Sequence, residues 1–283
     1  MITRAYIMRG MGDSLNARDF LIHYCRQHNI AQQNINIYTS IHKEIFEDTK
    51  FKIYESDKIN PKELSFYGNF GHFDLSKKYK CKRYDTSIAI NSQTKYNFNK
   101  IVPLNWSADI SNIDLPQKFV TVNYGHDNNS NPLMKCIKMW SLDYWVELVK
   151  NIGVDCVQIG GGWSCKNIDG VKLNLVNKLT LKQSAEVMKR ALFHIDIEGG
   201  LVILGKHIGV KSVVLFGATD IRHFAREGNL NLRNSTCPAC SGNIDDDKKD
   251  YPLYVWNYKC KNTCMKDLKP QYVIEQIKQK GWL

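Results

Sequence analysis

Asp13 is the residue of this sequence best placed to take a proton. It stands in Gly10-Met11-Gly12-Asp13-Ser14, directly after the apolar run Ala5-Tyr6-Ile7-Met8. Gly10 and Gly12 let the backbone approach a ligand closely, and a carboxylate beside them can deprotonate an attacking hydroxyl. An ordinary aspartate, with a pKa of about 4, is ionised at neutral pH, as a base must be. Gly-x-Gly after a strand is also a common tight turn, in which the same aspartate serves as a helix N-cap. A second glycine turn, Glu198-Gly199-Gly200-Leu201, follows the apolar run Leu192–Ile197. Its glycines leave amide N–H groups bare at a helix start, a setting that suits a pyrophosphate. Glu198 can accept hydrogen bonds from ribose or sugar hydroxyls, or it can simply cap the helix. Lys138, in Lys138-Met139-Trp140, follows the strand and loop Phe119–Gly125. A lysine there is either surface decoration or a point charge for a phosphate. Phe216-Gly217-Ala218-Thr219-Asp220 is one more strand-end turn on the same side.

Four of the nine cysteines are clustered: Cys237-Pro238-Ala239-Cys240 and Cys260-Lys261-Asn262-Thr263-Cys264. Cys-x2-Cys followed about 20 residues on by Cys-x3-Cys has the spacing of a tetrahedral metal site. The expectation is a structural metal knuckle over residues 237–264. Zinc is the first choice of metal and iron the second. Four protein ligands would leave no open coordination position for catalysis. The alternative is four reduced cysteines or a pair of disulfides.

These groups need elements to hold them. The patterning predicts strands at Ala5–Met8, Ile35–Thr39 and Phe51–Tyr54, and a helix from Ser14 to about His28. Residues 65–94 are aromatic, basic and without clear period, and receive no assignment. A proline-flanked polar stretch at 102–117 reads as an interdomain linker. Beyond it the chain alternates: strands at Phe119–Asn123, Val154–Ile159, Ile195–Ile197 and Ser212–Phe216. The intervening helices are Ser141–Ile152, Leu181–Leu192 and Gly199–Gly209, with a last one at Pro270–Lys280. Such alternation means doubly wound, mostly parallel sheets. The expected division is residues 1–112 and residues 113–283.

Composition narrows the function classes. The chain has 283 residues and a formal charge of +11. No run approaches the roughly 18 apolar residues of a membrane span. The N-terminus leads straight into a strand, so the expectation is a cytoplasmic protein without a signal peptide. The charge suits an anionic substrate or attraction to the anionic inner face of a membrane. No helix-turn-helix, RNA-binding or zinc-finger pattern is present, which argues against a nucleic-acid partner.

The order of these motifs resembles the family 9 glycosyltransferases, the heptosyltransferase family. The resemblance runs over nearly the whole chain. It rests on Gly10-Met11-Gly12-Asp13, on Gly125 with Lys138-Met139-Trp140, and on the run from Leu181 to Phe216-Gly217-Ala218-Thr219-Asp220. The cysteine tail with Cys264-Met265 is similar too. The resemblance implies a GT-B fold, with two Rossmann-like domains whose parallel sheets face an interdomain cleft. Residues 1–112 would be the acceptor side and residues 113–283 the nucleotide-sugar side. It implies an inverting transfer of a sugar, heptose from ADP-heptose in the first instance. The acceptor would be a bacterial surface glycan such as a lipopolysaccharide core, a lipid-linked glycan, or a protein. Asp13 would be the base, and Gly12, Gly125, Lys138, Glu198, Gly199, Gly200, Leu201 and Thr219 would hold the donor. No catalytic metal is implied. Some members that glycosylate autotransporter proteins carry a cysteine-bound iron. Two positions depart from the family pattern: Glu198 stands where an Asp is usual, and Ile203 where a His is often found. A non-catalytic nucleotide-sugar-binding or scaffold protein on the same fold is the alternative.

Overall fold

The computed structural model describes residues 3–7, 10–58, 66–68, 82–84, 101–125, 138–162, 165–236 and 263–283. The chain divides into two compact units, with the break in sequence between Leu104 and Asn105. Each unit is built on a parallel sheet, as the alternation of strands and helices leads one to expect.

The first unit holds β1 (Thr3–Ile7), β2 (Ile35–Tyr38), β3 (Lys52–Tyr54), β4 (Phe66–Gly68) and β5 (Lys82–Tyr84). Their order is β3-β2-β1-β4-β5, with Ala5 in register with Ile37 on one side and Phe66 on the other. All four residues of β2 are buried, which suits a parallel strand covered on both faces. Helix α1 (Met11–Gln27) buries Leu15, Phe20, Leu21 and Ile22. It begins three residues before the expected start at Ser14. The first turn of a helix makes few internal hydrogen bonds, so Gly12 weakens it little there. Helix α1 also carries a buried cation. Arg18 donates to Asp19 and Asp48 and to the carbonyls of Val102 (2.8 Å) and Pro103 (3.4 Å). Carboxylates and carbonyls meeting a buried guanidinium are what make its desolvation tolerable.

The second unit holds β6 (Phe119–Val122), β7 (Asp155–Gln158), β8 (Leu173–Asn174), β9 (His194–Ile197), β10 (Ser212–Leu215) and β11 (Leu230–Leu232). They lie in the order β11-β10-β9-β6-β7-β8. Counted from β8, that is the unit's third, second, first, fourth, fifth and sixth strand, the order of a Rossmann sheet. Its helices are α2 (Leu142–Asn151), α3 (Leu181–Arg190), α4 (Gly200–His207), α5 (Ile221–Phe224), α6 (Thr263–Asp267) and α7 (Pro270–Gln279). Their starts have local causes. Ser141 caps α2 by accepting from the Tyr144 N–H (3.2 Å), and Thr180 and Gln183 close a reciprocal capping box on α3. Pro270 sits in the first turn of α7, where its missing N–H costs nothing.

The two faces of this sheet differ. Val120, Val122, Ile195, Val213 and Leu215 form an apolar core with Trp140, Trp145, Leu148, Val273 and Ile277. Side chains alternate along each strand, so the intervening residues line the opposite face. There Thr121, Asn123, His194, Asp196 and Ser212 are all buried. Register sets Thr121 beside His194, and His194 beside Ser212. Helix α4 covers this polar row: a Cβ on Gly205 would stand 3.1 Å from the Ser212 hydroxyl.

Candidate phosphate-binding site

In the second unit the chain adds β7 and β8 on one side of β6, then crosses to build β9, β10 and β11 on the other. Open α/β sheets bind ligands outside the carboxyl ends of the strands at such a reversal. The segments found there are Asn123–Gly125 after β6 and Glu198–Gly200 after β9. They are two of the stretches singled out from sequence.

Lys138 and Glu198 meet at this point. The lysine ammonium donates to Glu198 Oε2, and the two side chains are only 13% and 12% exposed. The ammonium also lies 6.0 Å from the centre of the Phe224 ring. Trp140 fixes where the lysine stands: its ring is fully buried, and its Nε1–H donates to the Leu268 carbonyl at 2.7 Å. The Lys-x-Trp spacing thus joins a core anchor to a cation two residues away.

Helix α4 opens on Gly199 with no side-chain cap and no acidic residue in its first turn. Its ladder starts with Ile203 N–H to the Gly199 carbonyl at 3.3 Å. The amides of Gly199, Gly200, Leu201 and Val202 precede that ladder, and they are the ones an anion would meet. Leu201 itself packs inward. Gly199 has an extended backbone (φ −173°), and a Cβ there would touch only the Ile197 carbonyl at 3.6 Å. Neither backbone conformation nor packing requires a glycine at this position. Gly125 is the opposite case. Its φ is +143°, and a Cβ would come within 2.7 Å of Cys165 Sγ.

Beneath the turn lies a polar chain that sequence reasoning missed. Asn123 donates to both oxygens of Asp196 at 3.1 Å, and the Ile197 N–H donates to Asp196 Oδ1 at 2.7 Å. His194 Nε2 stands 3.5 Å from Asp196 Oδ2, close enough for an electrostatic contact but long for a hydrogen bond. The other ring nitrogen bonds Thr121 Oγ1 at 3.0 Å. Burial pushes the Asp196 carboxyl above the usual aspartate range, against the lowering effect of His194, Asn123 and the Ile197 amide. The available signal was polar residues two apart inside β-rich runs, Thr121 with Asn123 and His194 with Asp196. Phe224 was missed as well, because nothing local marks a phenylalanine as a neighbour of Lys138.

Thr219 is buried, and its Oγ1 has no hydrogen-bond partner among the described residues. The adjoining Asp220 caps α5 through the Arg222 N–H (2.9 Å) and holds the Arg222 guanidinium through both oxygens (2.7 and 3.1 Å). In the first unit, Gly12 and Asp13 both fall in the opening turn of α1, at the end of β1. Gly12 is buried and Asp13 half-buried.

The expected four-cysteine metal, zinc or iron, is corrected. Among the described residues no group of three or more His, Cys, Asp or Glu side chains could hold a metal ion. Cys264 lies in α6 and is buried in the apolar core beside Met265, the environment of a small hydrophobe. Cys237, Cys240 and Cys260 lie outside the described residues. Among the described residues, too, no helix is long and apolar enough to cross a membrane.

No protein-family profile matches the chain, and no curated protein matches it in sequence. Solved structures do match it. The iron-containing dodecameric glycosyltransferase TibC from enterotoxigenic E. coli H10407 aligns over 98% of this chain and 75% of its own, with a TM-score of 0.68 and 14% identity. A family 9 glycosyl transferase from Veillonella parvula DSM 2008 aligns over 98% of this chain and 96% of its own, with a TM-score of 0.62 and 12% identity. The ADP-heptose LPS heptosyltransferase II of E. coli aligns over 99% and 98%, with a TM-score of 0.61 and 11% identity. TibC has also been solved in complex with ADP-D-β-D-heptose. At such identities the likeness is one of fold. The chain has the α/β, parallel-sheet GT-B fold of these glycosyltransferases, as its motif order led one to expect.

Proposed function

We propose that the chain is an inverting glycosyltransferase. It moves a sugar, heptose in the first instance, from a nucleotide-diphosphate donor, ADP-heptose in the first instance. The acceptor is a hydroxyl of a bacterial surface glycan such as a lipopolysaccharide core, of a lipid-linked glycan, or of a protein. The observation that carries this reading is Lys138 beside the Gly199-Gly200 helix start at the strand reversal of a Rossmann sheet. The fold shared with heptosyltransferases supports it.

The second unit is the donor side and the first the acceptor side. The donor diphosphate lies on the amides of Gly199, Gly200 and Leu201, with Lys138 as its point charge. Gly125 lets the backbone after β6 come close, and Glu198 and Thr219 offer oxygens to ribose or sugar hydroxyls. In the first unit, Gly12 adjoins Asp13, and Gly10 leaves the Asp13 carboxylate its space. The reaction needs one proton moved and one bond exchanged. Asp13 takes the acceptor proton as the acceptor oxygen attacks the anomeric carbon from the side opposite the diphosphate. The bond from that carbon to the phosphate oxygen breaks, and the nucleoside diphosphate leaves with the electron pair. Amides and an ammonium aimed at that developing charge do most where water is scarce. A nucleotide-sugar substrate puts the protein in the cytoplasm, and its charge of +11 draws it to an anionic membrane face.

A thermal-shift panel with ADP, UDP, GDP, CDP and ADP-heptose tests the proposal. A ligand at about 100 times its Kd stabilises the fold by about 2.7 kcal/mol. The expected result is a shift with ADP and a larger one with ADP-heptose. A shift with another nucleotide alone replaces the donor, and no shift with any of them overturns the reading.

A further inference from the structure

The Lys138–Glu198 pair poses a problem of charge. A carboxylate stands at the entrance of a helix start that otherwise carries no acidic residue. It already holds the nearest ammonium. Both side chains are largely withdrawn from water, so solvent and salt screen them poorly. A diphosphate laid on the Gly199 and Gly200 amides therefore meets a lysine whose charge is offset and a glutamate that repels it. Such a site is poorly built for a bare nucleotide.

The repulsion becomes useful when donor and product are compared. In a nucleotide-sugar the second phosphate is substituted on both sides, by an anhydride and by the glycosyl ester, and carries one negative charge. It also presents sugar hydroxyls, which can donate to a carboxylate. In the nucleoside diphosphate left after transfer, that phosphate is bonded only to its neighbour phosphate and has a second ionisable oxygen. Its second pKa is about 6, so near pH 7 it carries almost a second charge. The hydroxyl donors depart with the sugar. Transfer therefore turns a ligand that can satisfy Glu198 into one that can only repel it.

We infer that Glu198 is a specificity-determining residue that sets the affinity of the nucleotide-sugar above that of the nucleoside diphosphate and so drives product release. The inference rests on the glycosyltransferase reading above. Lys138 attracts both ligands, and Glu198 opposes the second charge of the product while accepting from the sugar hydroxyls of the donor. The Lys138 ammonium also lies over the Phe224 ring, 6.0 Å from its centre, a cation–π contact that favours its place beside Glu198.

The test is the ratio of two dissociation constants, for ADP and for ADP-heptose, measured by calorimetry on the full chain. The same ratio is taken for any other nucleotide pair that the thermal panel selects. Glu198→Gln keeps the shape and removes the charge. Freeing Lys138 strengthens both ligands, and ADP the more for its extra charge, so the ratio is also compared between Lys138→Met and the Lys138→Met/Glu198→Gln double variant, where it isolates the glutamate. The expected result is a fall of about tenfold in Kd(ADP)/Kd(ADP-heptose), with ADP binding tighter than in the wild type. Glu198→Asp keeps the charge and should hold the ratio within about threefold of wild type. Wild-type preference should also shrink below about pH 6, where the terminal phosphate of ADP takes up a proton. A ratio unchanged in Glu198→Gln overturns the inference while leaving the transferase reading intact. A wild type that binds neither member of any nucleotide pair overturns the transferase reading itself.

Discussion

Each unit starts a helix on a glycine soon after a strand, yet the two starts carry different charges: a carboxylate in the first turn of one, and a lysine–glutamate pair at the entrance of the other. Helix α1 begins on Gly10 and carries Asp13 in its first turn. A Cβ on Gly10 would stand 3.1 Å from an Asp13 carboxylate oxygen, so the glycine leaves that carboxylate its space. Helix α4 begins on Gly199, has no acidic residue in its first turn, and stands beside Lys138. The partial positive charge of a helix N-terminus attracts anions in both cases. In the first unit the chain puts its own anion in the first turn, whereas in the second Glu198 is held by Lys138 and the first turn is left for a ligand. One backbone device thus serves two purposes, a held carboxylate in one unit and a phosphate cradle in the other.

The comparison can be broken hardest at Asp13. Asp13→Asn should lower transfer by about 10²–10⁴-fold while the Kd for ADP-heptose stays within a factor of a few. Turnover above a tenth of wild type would show that the first helix start is not the base. Next comes the cation of the second start. Lys138→Ala should weaken ADP and ADP-heptose together by about 10–100-fold, the worth of one charge-assisted hydrogen bond. Undiminished binding in calorimetry would leave the second start without its electrostatic role.

Two glycine substitutions sharpen the contrast between a glycine the fold needs and one it does not. Gly125→Ala forces a side chain onto Cys165 at φ +143°, and urea melts should show it less stable by about 1–3 kcal/mol. Gly199→Ala meets only ordinary contact, so its stability should change by under about 1 kcal/mol while nucleotide affinity drops. If both variants lose stability equally, Gly199 is structural and the cradle argument fails.

The smallest effect is a pH slope. The Asp196 carboxyl is raised by burial, so from about pH 4 up to its folded pKa the native state keeps a proton that the unfolded chain has released. Its contribution to stability is complete below that window and is lost as pH rises through it. Asp196→Asn should lack this loss. Wild-type stability relative to the variant should therefore decline from pH 4 to pH 7 in parallel urea titrations. A constant difference across that range would mean that Asp196 titrates as it does in the unfolded chain.

Much of the second unit was legible because its signals are local. The stretch from Thr180 to Phe216 carries a capping threonine, helical spacing and apolar strands long enough to show their period. The strands Leu173–Asn174 and Leu230–Leu232 were not legible. Two or three residues hold too little pattern, and they become strands only by pairing with β7 and β10. The same applies to Phe66–Gly68 and Lys82–Tyr84, inside a stretch that received no assignment. The early start of α1 was hidden by Gly10-Met11-Gly12, whose glycines read as a turn. The metal expectation shows the opposite error. Cysteine spacing is compatible with a ligand set, but Cys264 is buried in the apolar core of its unit.

By itself, the sequence determined the parallel α/β class and the identity of the two glycine turns. Alternating strands and helices, and glycines at strand ends, are written in neighbouring residues. Only the tertiary structure decided what stands beside those turns. Lys138 and Glu198 are 60 residues apart, and Asn123 and Asp196 are 73 apart. Lys138 stands by Glu198 with Trp140 anchored in the core two residues on, and Asn123 meets Asp196 because β6 and β9 lie side by side at the centre of the sheet. The register that joins them comes from burying an apolar face made by the whole unit. No local run of residues records which strand will be its neighbour.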